Sequence, residues 1–142
     1  MIKDDGLKMK GRLQISLNDE VVQDIDNLVV TAGKEFVASR MKGTSSSVMS
    51  HMAVGTGTTA AAAGQTTLVT EVDRNAIDST GGSGANVIYT ATWAAGDGTG
   101  ALTEAGMFNA SSGGTMLCRT VFSVVNKGAS DSMTITWTVT VS

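Results

Sequence analysis

The sequence predicts a mainly β protein, an antiparallel β-sandwich of jelly-roll-like kind with one helix near residues 29–41. Three observations predict it. Met133, Ile135, Trp137, Val139 and Val141 alternate with Thr134, Thr136, Thr138 and Thr140. That period of two is the mark of a half-buried strand. Similar short runs recur along the chain, separated by clusters of Gly, Ser, Asn and Asp. Such spacing suits a sandwich. The whole chain has 142 residues, which is the length of one domain.

The elements follow in order. Leu13-Gln14-Ile15-Ser16-Leu17 alternates and reads as a strand. Val29, Ala32, Phe36, Val37 and Met41 fall near helical spacing, with Asn27 or Thr31 as the expected cap and Gly43 as the stop. Val48 to Val54 reads as a further strand, and Leu68 to Arg74 as a short second helix. Gly81-Gly82-Ser83-Gly84 reads as a loop or hairpin tip. Strands are expected from Val87 to Trp93, Leu102 to Asn109 and Met116 to Phe122. Ala110 to Gly114 and Asn126 to Asp131 are the loops between the later strands.

Charge divides the chain at Gly43. Residues 1–42 hold 7 basic and 7 acidic residues, whereas the last 100 hold 3 basic and 6 acidic. Forty-two residues bury too little surface to be a domain alone. The expectation is one domain over 1–142, with a charged strand-plus-helix portion at 1–42 and a charge-poor β body at 43–142. Charged residues make up 16% of the chain, against roughly 25% in typical domains.

Composition excludes several classes. One Cys and one His cannot build a Cys/His zinc site or a disulfide framework. A net charge of −3 and a pI near 4.9 argue against nucleic-acid binding by phosphate neutralisation. The longest small-apolar run, Ala60 to Ala63, is far short of a membrane span. The first residues lack the basic-then-apolar pattern of a secretory signal. Cys118 reads as a small buried hydrophobe, which fits a reducing cytoplasm.

Few residues offer chemistry. His51 is the only imidazole, and Gly81-Gly82-Ser83-Gly84-Ala85 lacks the last Gly of a nucleophile elbow. Gly96-Asp97-Gly98-Thr99-Gly100 has neither the Lys of a phosphate loop nor the carboxylates of a calcium loop, so it reads as a turn. Asn109-Ala110-Ser111 matches a glycosylation sequon that means little without a secretory signal. Glu104 is placed on one strand face with Leu102, Gly106 and Phe108. A carboxylate on an apolar face must be paired. A structural ion pair with Arg74 or Arg119 is therefore expected, in preference to a catalytic acid. Lys8, Lys10 and Arg12 form a small basic cluster, a candidate docking arm for an acidic partner surface. No catalytic, cofactor-binding or metal-binding residue is assigned, no cofactor is expected, and no enzyme is predicted.

Four motifs carry a resemblance. They are Met52-Ala53-Val54-Gly55-Thr56-Gly57, Leu68-Val69-Thr70-Glu71-Val72-Asp73-Arg74, Leu102-Thr103-Glu104-Ala105-Gly106-Met107-Phe108-Asn109, and Gly114-Thr115-Met116-Leu117. In this order they resemble tailed-bacteriophage small virion structural proteins of the capsid-decoration, or cement, kind. They are also similar to the N-terminal attachment modules of phage tail fibres. The resemblance covers about residues 28 to 142. A fibre continues into a trimeric shaft, whereas this sequence ends just after its best strand, which favours the decoration type. That resemblance implies a jelly-roll-like sandwich, a homotrimer on the outer surface of a phage head, and the major capsid protein as partner. It implies assembly in the bacterial cytoplasm and a place in the virion, with no nucleic acid or membrane as partner.

Two alternatives stand beside it. One is a tail or baseplate adaptor. The other is a carbohydrate-binding β-sandwich for host adsorption. Its large rings would be Trp93, Trp137 and Tyr89, all on predicted core faces, which counts against it.

Overall fold

A computed structural model describes residues 7–43 and 47–142. It contains β1 (Met9–Leu17), β2 (Glu20–Val29), α1 (Thr31–Met41), β3 (His51–Gly55) and β4 (Glu71–Ala76). β5 (Ser79–Gly81), β6 (Asn86–Trp93), β7 (Gly100–Phe108), β8 (Met116–Lys127) and β9 (Met133–Val141) follow. All pairings are antiparallel, in the order β4-β3-β7-β8-β2-β1-β9-β6-β5.

One sheet of this length must curl. Only Ile77 and Asp78 separate β4, at one edge, from β5, at the other. The two ends are therefore neighbours, and Asn75 Nδ2 of β4 donates to Thr92 O of β6 at 3.0 Å. β2 and β8 pair only through Leu28↔Arg119 and Val29↔Cys118. The sheet thus folds into two facing halves, β4-β3-β7-β8 and β2-β1-β9-β6-β5, as in a β-sandwich.

Alternation fills the space between them. Leu13, Trp137 and Tyr89 lie in one cross-strand row, and Ile15, Ile135 and Ala91 in the next. These side chains join Trp93, Met52, Val54, Met107 and Cys118 in the main core. Burial raises the Cys118 thiol far above its usual range, so it stays protonated and inert.

Helix α1 packs across β8, with Phe36 and Val37 against the main core. Its contact is close because Gly33 has no side chain: a Cβ there would lie 2.1 Å from the Leu117 carbonyl oxygen. Neither expected cap is used. Val30 occupies the N-cap position without a side-chain bond. The helix start is tied instead through Val30 N–H to Leu117 O and Thr31 N–H to Ala63 O. Gly43 ends the helix at φ +72°, the left-handed conformation that favours glycine.

Three local expectations change. Residues 71–76 form an edge strand, not a helix. Val72 is the extra residue of a β-bulge opposite Val54 and Gly55, and this bulge imitates helical spacing. β2 was not predicted as a strand, because its first half is exposed and its alternation is weak. β8 runs to Lys127, five residues beyond its predicted end.

Asn27 is a local conflict in this fold. Its carboxamide crosses Gly11, its cross-strand partner; its polar neighbour is the weakly bonding Cys118 thiol, and neither Nδ2 nor Oδ1 has a full hydrogen-bond partner. Burying an unpartnered amide costs about 1–3 kcal/mol. Asn27→Val is therefore expected to hold or raise the thermal midpoint. A loss of more than about 1 kcal/mol by denaturant titration counts against this account of the carboxamide.

Candidate functional site

The most elaborate polar arrangement lies on the outer face of β3, β7 and β8, beneath the segment 56–70. Glu104 and Arg119 are both 0% exposed there. Glu104 Oε1 accepts from Arg119 Nη2 at 2.9 Å, Arg119 Nε at 3.1 Å and the Val69 N–H at 2.9 Å. Glu104 Oε2 accepts from the N–H groups of Gly57 at 2.7 Å and Thr70 at 2.8 Å. Arg119 Nη1 then donates to Thr59 O and to Gln65 Oε1, each at 2.9 Å. One ion pair thus ties both limbs of the segment to the sheet.

The expected pairing resolves onto Arg119. Arg74 does not reach Glu104. It bonds Glu71 through Nη2 at 2.7 Å and Nε at 3.1 Å, because the Val72 bulge puts both side chains on one face. Nor does Leu102 share the face of Glu104. A register shift between the two turns Leu102 into the main core.

Burial alone would push the Glu104 carboxyl up. Its bonds to Thr70, Val69, Arg119 and Gly57 outweigh that and hold it below the ordinary carboxylate range. The carboxylate is an ionised anchor with every lone pair occupied, which leaves no room for acid chemistry.

Three of the four sequence motifs meet at this anchor, and the fourth joins them through Met116, which packs with Ala53, Leu68 and Phe108. Gly55 and Gly57 leave space beside it. A Cβ on Gly55 would lie 2.2 Å from Thr70 O, and one on Gly57 2.4 Å from Glu104 Oε2. Gly106 admits Leu68 and the Phe108 ring. Arg74 stacks over that ring at 3.8 Å from its centroid, and its Nη1 donates to Ala110 O and Gly113 O. Asn109 Oδ1 accepts from Thr115 N–H at 2.7 Å. No single motif shows this organisation. The signal lay in small residues spaced around one buried Glu.

A second surface covers the outer face of β1, β9 and β6. Thr134 and Thr136 stand between Thr92 and Thr90 on one side and Ser16 and Gln14 on the other, and Thr138 and Thr140 between Ile88 and Asn86 on one side and Arg12 and Lys10 on the other. Arg12 lies at its border, bonded to Asp24 at 2.7 Å and Asp26 at 3.0 Å. With Lys10 it belongs to β1, which is paired on both edges, so these residues form part of a sheet face and not a free arm. Lys8 exchanges both backbone bonds with Ser142.

The remaining candidates gain no partners for chemistry. His51 Nδ1 contacts the neighbouring Ser50 Oγ at 2.8 Å, and no hydrogen bond joins it to Ser83. Gly96, Gly98 and Gly100 form the β6–β7 turn with positive φ, pinned where the buried Lys127 Nζ donates to Ala94 O. Among the described residues, no group of three or more His, Cys, Asp or Glu is placed to hold a metal ion, and no helix is long and apolar enough to cross a membrane. Trp93 and Trp137 are buried and present no ring to a sugar.

The clamp and the hydroxyl face are thus two separate polar regions on an antiparallel, sandwich-like β fold. No family model matches the chain, and neither a curated protein nor a solved structure is similar to it.

Proposed function

We propose that this protein is a virion structural protein of the capsid-decoration kind, which binds the outer surface of a phage head as a trimer and reinforces contacts between capsomers. The observation that supports this reading most is that three of the four phage-like motifs meet at one clamp and the fourth packs beside it. Residues far apart in sequence thus serve one structural purpose, which gives the ordered motif set a physical reason within this chain.

The physics of the hydroxyl face agrees. Thr and Ser are short, so fixing them in a contact costs less side-chain entropy than fixing Lys or Glu. They need no charged partner, and broad contacts between subunits exclude charge from their centres. The edges at β4 and β5 are open to pairing, which trimer formation would cover.

The test is co-expression with the major capsid protein encoded by the same genome, followed by electron microscopy of the particles. Regular density over the head is expected, and heads lacking the protein should release DNA at lower temperature. Density confined to the tail would favour the tail or baseplate adaptor, towards which the fibre-like motif order also points. Equal thermal release with and without the protein would remove the reinforcing role.

A further inference from the structure

Where β1, β9 and α1 meet, Leu7, Met9, Val37 and Val141 line an open groove of about 510 Å³. Lys8, Lys10 and Lys34 rim it, and among the described residues no acidic side chain lines it. A second hollow of about 380 Å³ continues past Met9, Lys10 and Lys34 towards Gly11 and Leu28; its one acidic residue, Asp26, is already bonded to Arg12. The two form one trough with Lys10 and Lys34 at its waist.

The charge is unbalanced here and nowhere else on β1. Arg12 is neutralised by Asp24 and Asp26. Lys8, Lys10 and Lys34 form no salt bridge among the described residues. In a chain of net charge −3, three unpaired ammonium groups around an apolar floor are a local exception. Isolated lysines are ordinary on a surface, but three converging on an apolar groove complement an occupant that is both anionic and apolar.

We propose that this trough receives an extended, acidic peptide segment of a partner protein. An apolar side chain of the segment fills the groove between Met9, Val37 and Val141, and adjacent carboxylates meet Lys8, Lys10 and Lys34. The elongated, two-lobed form suits a chain of residues more than a compact ligand. The trough has no aromatic side chain on which bases could stack, which disfavours single-stranded nucleic acid. Sequence alone proposed Lys8, Lys10 and Arg12 for such a contact; the fold replaces Arg12, already paired, with Lys34 from the helix. If the decoration reading holds, that partner is the capsid shell; the trough itself does not rest on that reading.

The test uses the full chain and a fluorescein-labelled Leu-Glu-Asp-Leu-Glu amide, read by fluorescence anisotropy. The peptide is expected to bind, and the same peptide with Lys in place of its acids is not. The double variant Lys10→Glu, Lys34→Glu should weaken binding by about tenfold or more, the effect of roughly 1.4 kcal/mol. Both sites are surface positions, and an unchanged thermal midpoint will show that the variant folds. Raising salt from 0.05 to 0.5 M should weaken binding further. Absence of peptide binding, or binding that the double variant leaves unchanged, overturns the proposal. So does binding of dodecanoate or of phosphatidylglycerol vesicles without binding of the peptide. If the peptide binds but the double variant still decorates heads fully, the trough stands and its assignment to the capsid contact falls.

Discussion

Glu104→Ala is expected to destabilise the protein by roughly 3–5 kcal/mol, the usual cost of leaving a buried charge without its partner. The change removes the acceptor of five hydrogen bonds. It leaves the Arg119 guanidinium with only Thr59 O and Gln65 Oε1, and it orphans the N–H groups of Gly57, Val69 and Thr70. At roughly 2–4 °C per kcal/mol for a chain of this size, the midpoint should fall by about 6–20 °C. Differential scanning calorimetry gives the result directly. Replacing both partners, as Glu104→Leu with Arg119→Met, should recover part of the loss, because no buried charge then remains. A loss below about 1 kcal/mol for Glu104→Ala would mean that the segment 56–70 does not depend on this anchor.

The same anchor sets a pH dependence. The folded-state pKa of Glu104 lies below its unfolded value. Its contribution is therefore fully present above the ordinary glutamate value of about 4.3 and is lost as pH falls through the lower folded value. The stability difference between the wild type and Glu104→Gln should be widest at neutral pH and shrink below about pH 4. A difference that stays constant down to pH 2 contradicts the ionised anchor.

Gly33→Ala is the second large effect, and its sign separates two principles. Inside an exposed helix, Gly→Ala stabilises by about 1 kcal/mol. Here the new Cβ would meet the Leu117 backbone, with the carbonyl oxygen at 2.1 Å and the carbonyl carbon at 2.8 Å. A strand backbone cannot rotate away as a side chain can, so α1 must lift from β8. Overpacking of this kind costs about 1–3 kcal/mol, occasionally more, and outweighs the propensity gain. The expected result is net destabilisation, with Phe36 and Val37 pulled partly from the core. A stabilised Gly33→Ala protein would show that the helix sits farther from the sheet than described.

Strands that bury one face completely were legible in the sequence. β9 begins and ends at the predicted residues because burial against the facing half demands strict alternation and Thr satisfies the other face. β6 and β7 were legible to within two residues at each end. Glu104 was recognisable as a residue needing a partner, since the cost of an unpaired buried carboxylate is general.

Other features depend on atoms far apart in the chain. The sequence offered Arg74 and Arg119 equally; the bulge at Val72 turned Arg74 towards Glu71, and the β7–β8 register placed Arg119 on the carboxylate. β2 and β4 lacked a periodic signal because edge exposure and a bulge relieve them of the burial that creates one. The glycines at 55, 57 and 106 read as turn or strand residues until the opposing carbonyl, carboxylate and leucine were in view. Alternation, composition and the need to pair a buried charge are properties of neighbours along the chain, so the sequence alone determined a β protein with one anchored glutamate. Which arginine answers it, which lysines share a trough and why certain positions admit no side chain were decided by tertiary structure, because register and crossing distance place distant residues together and leave no local trace.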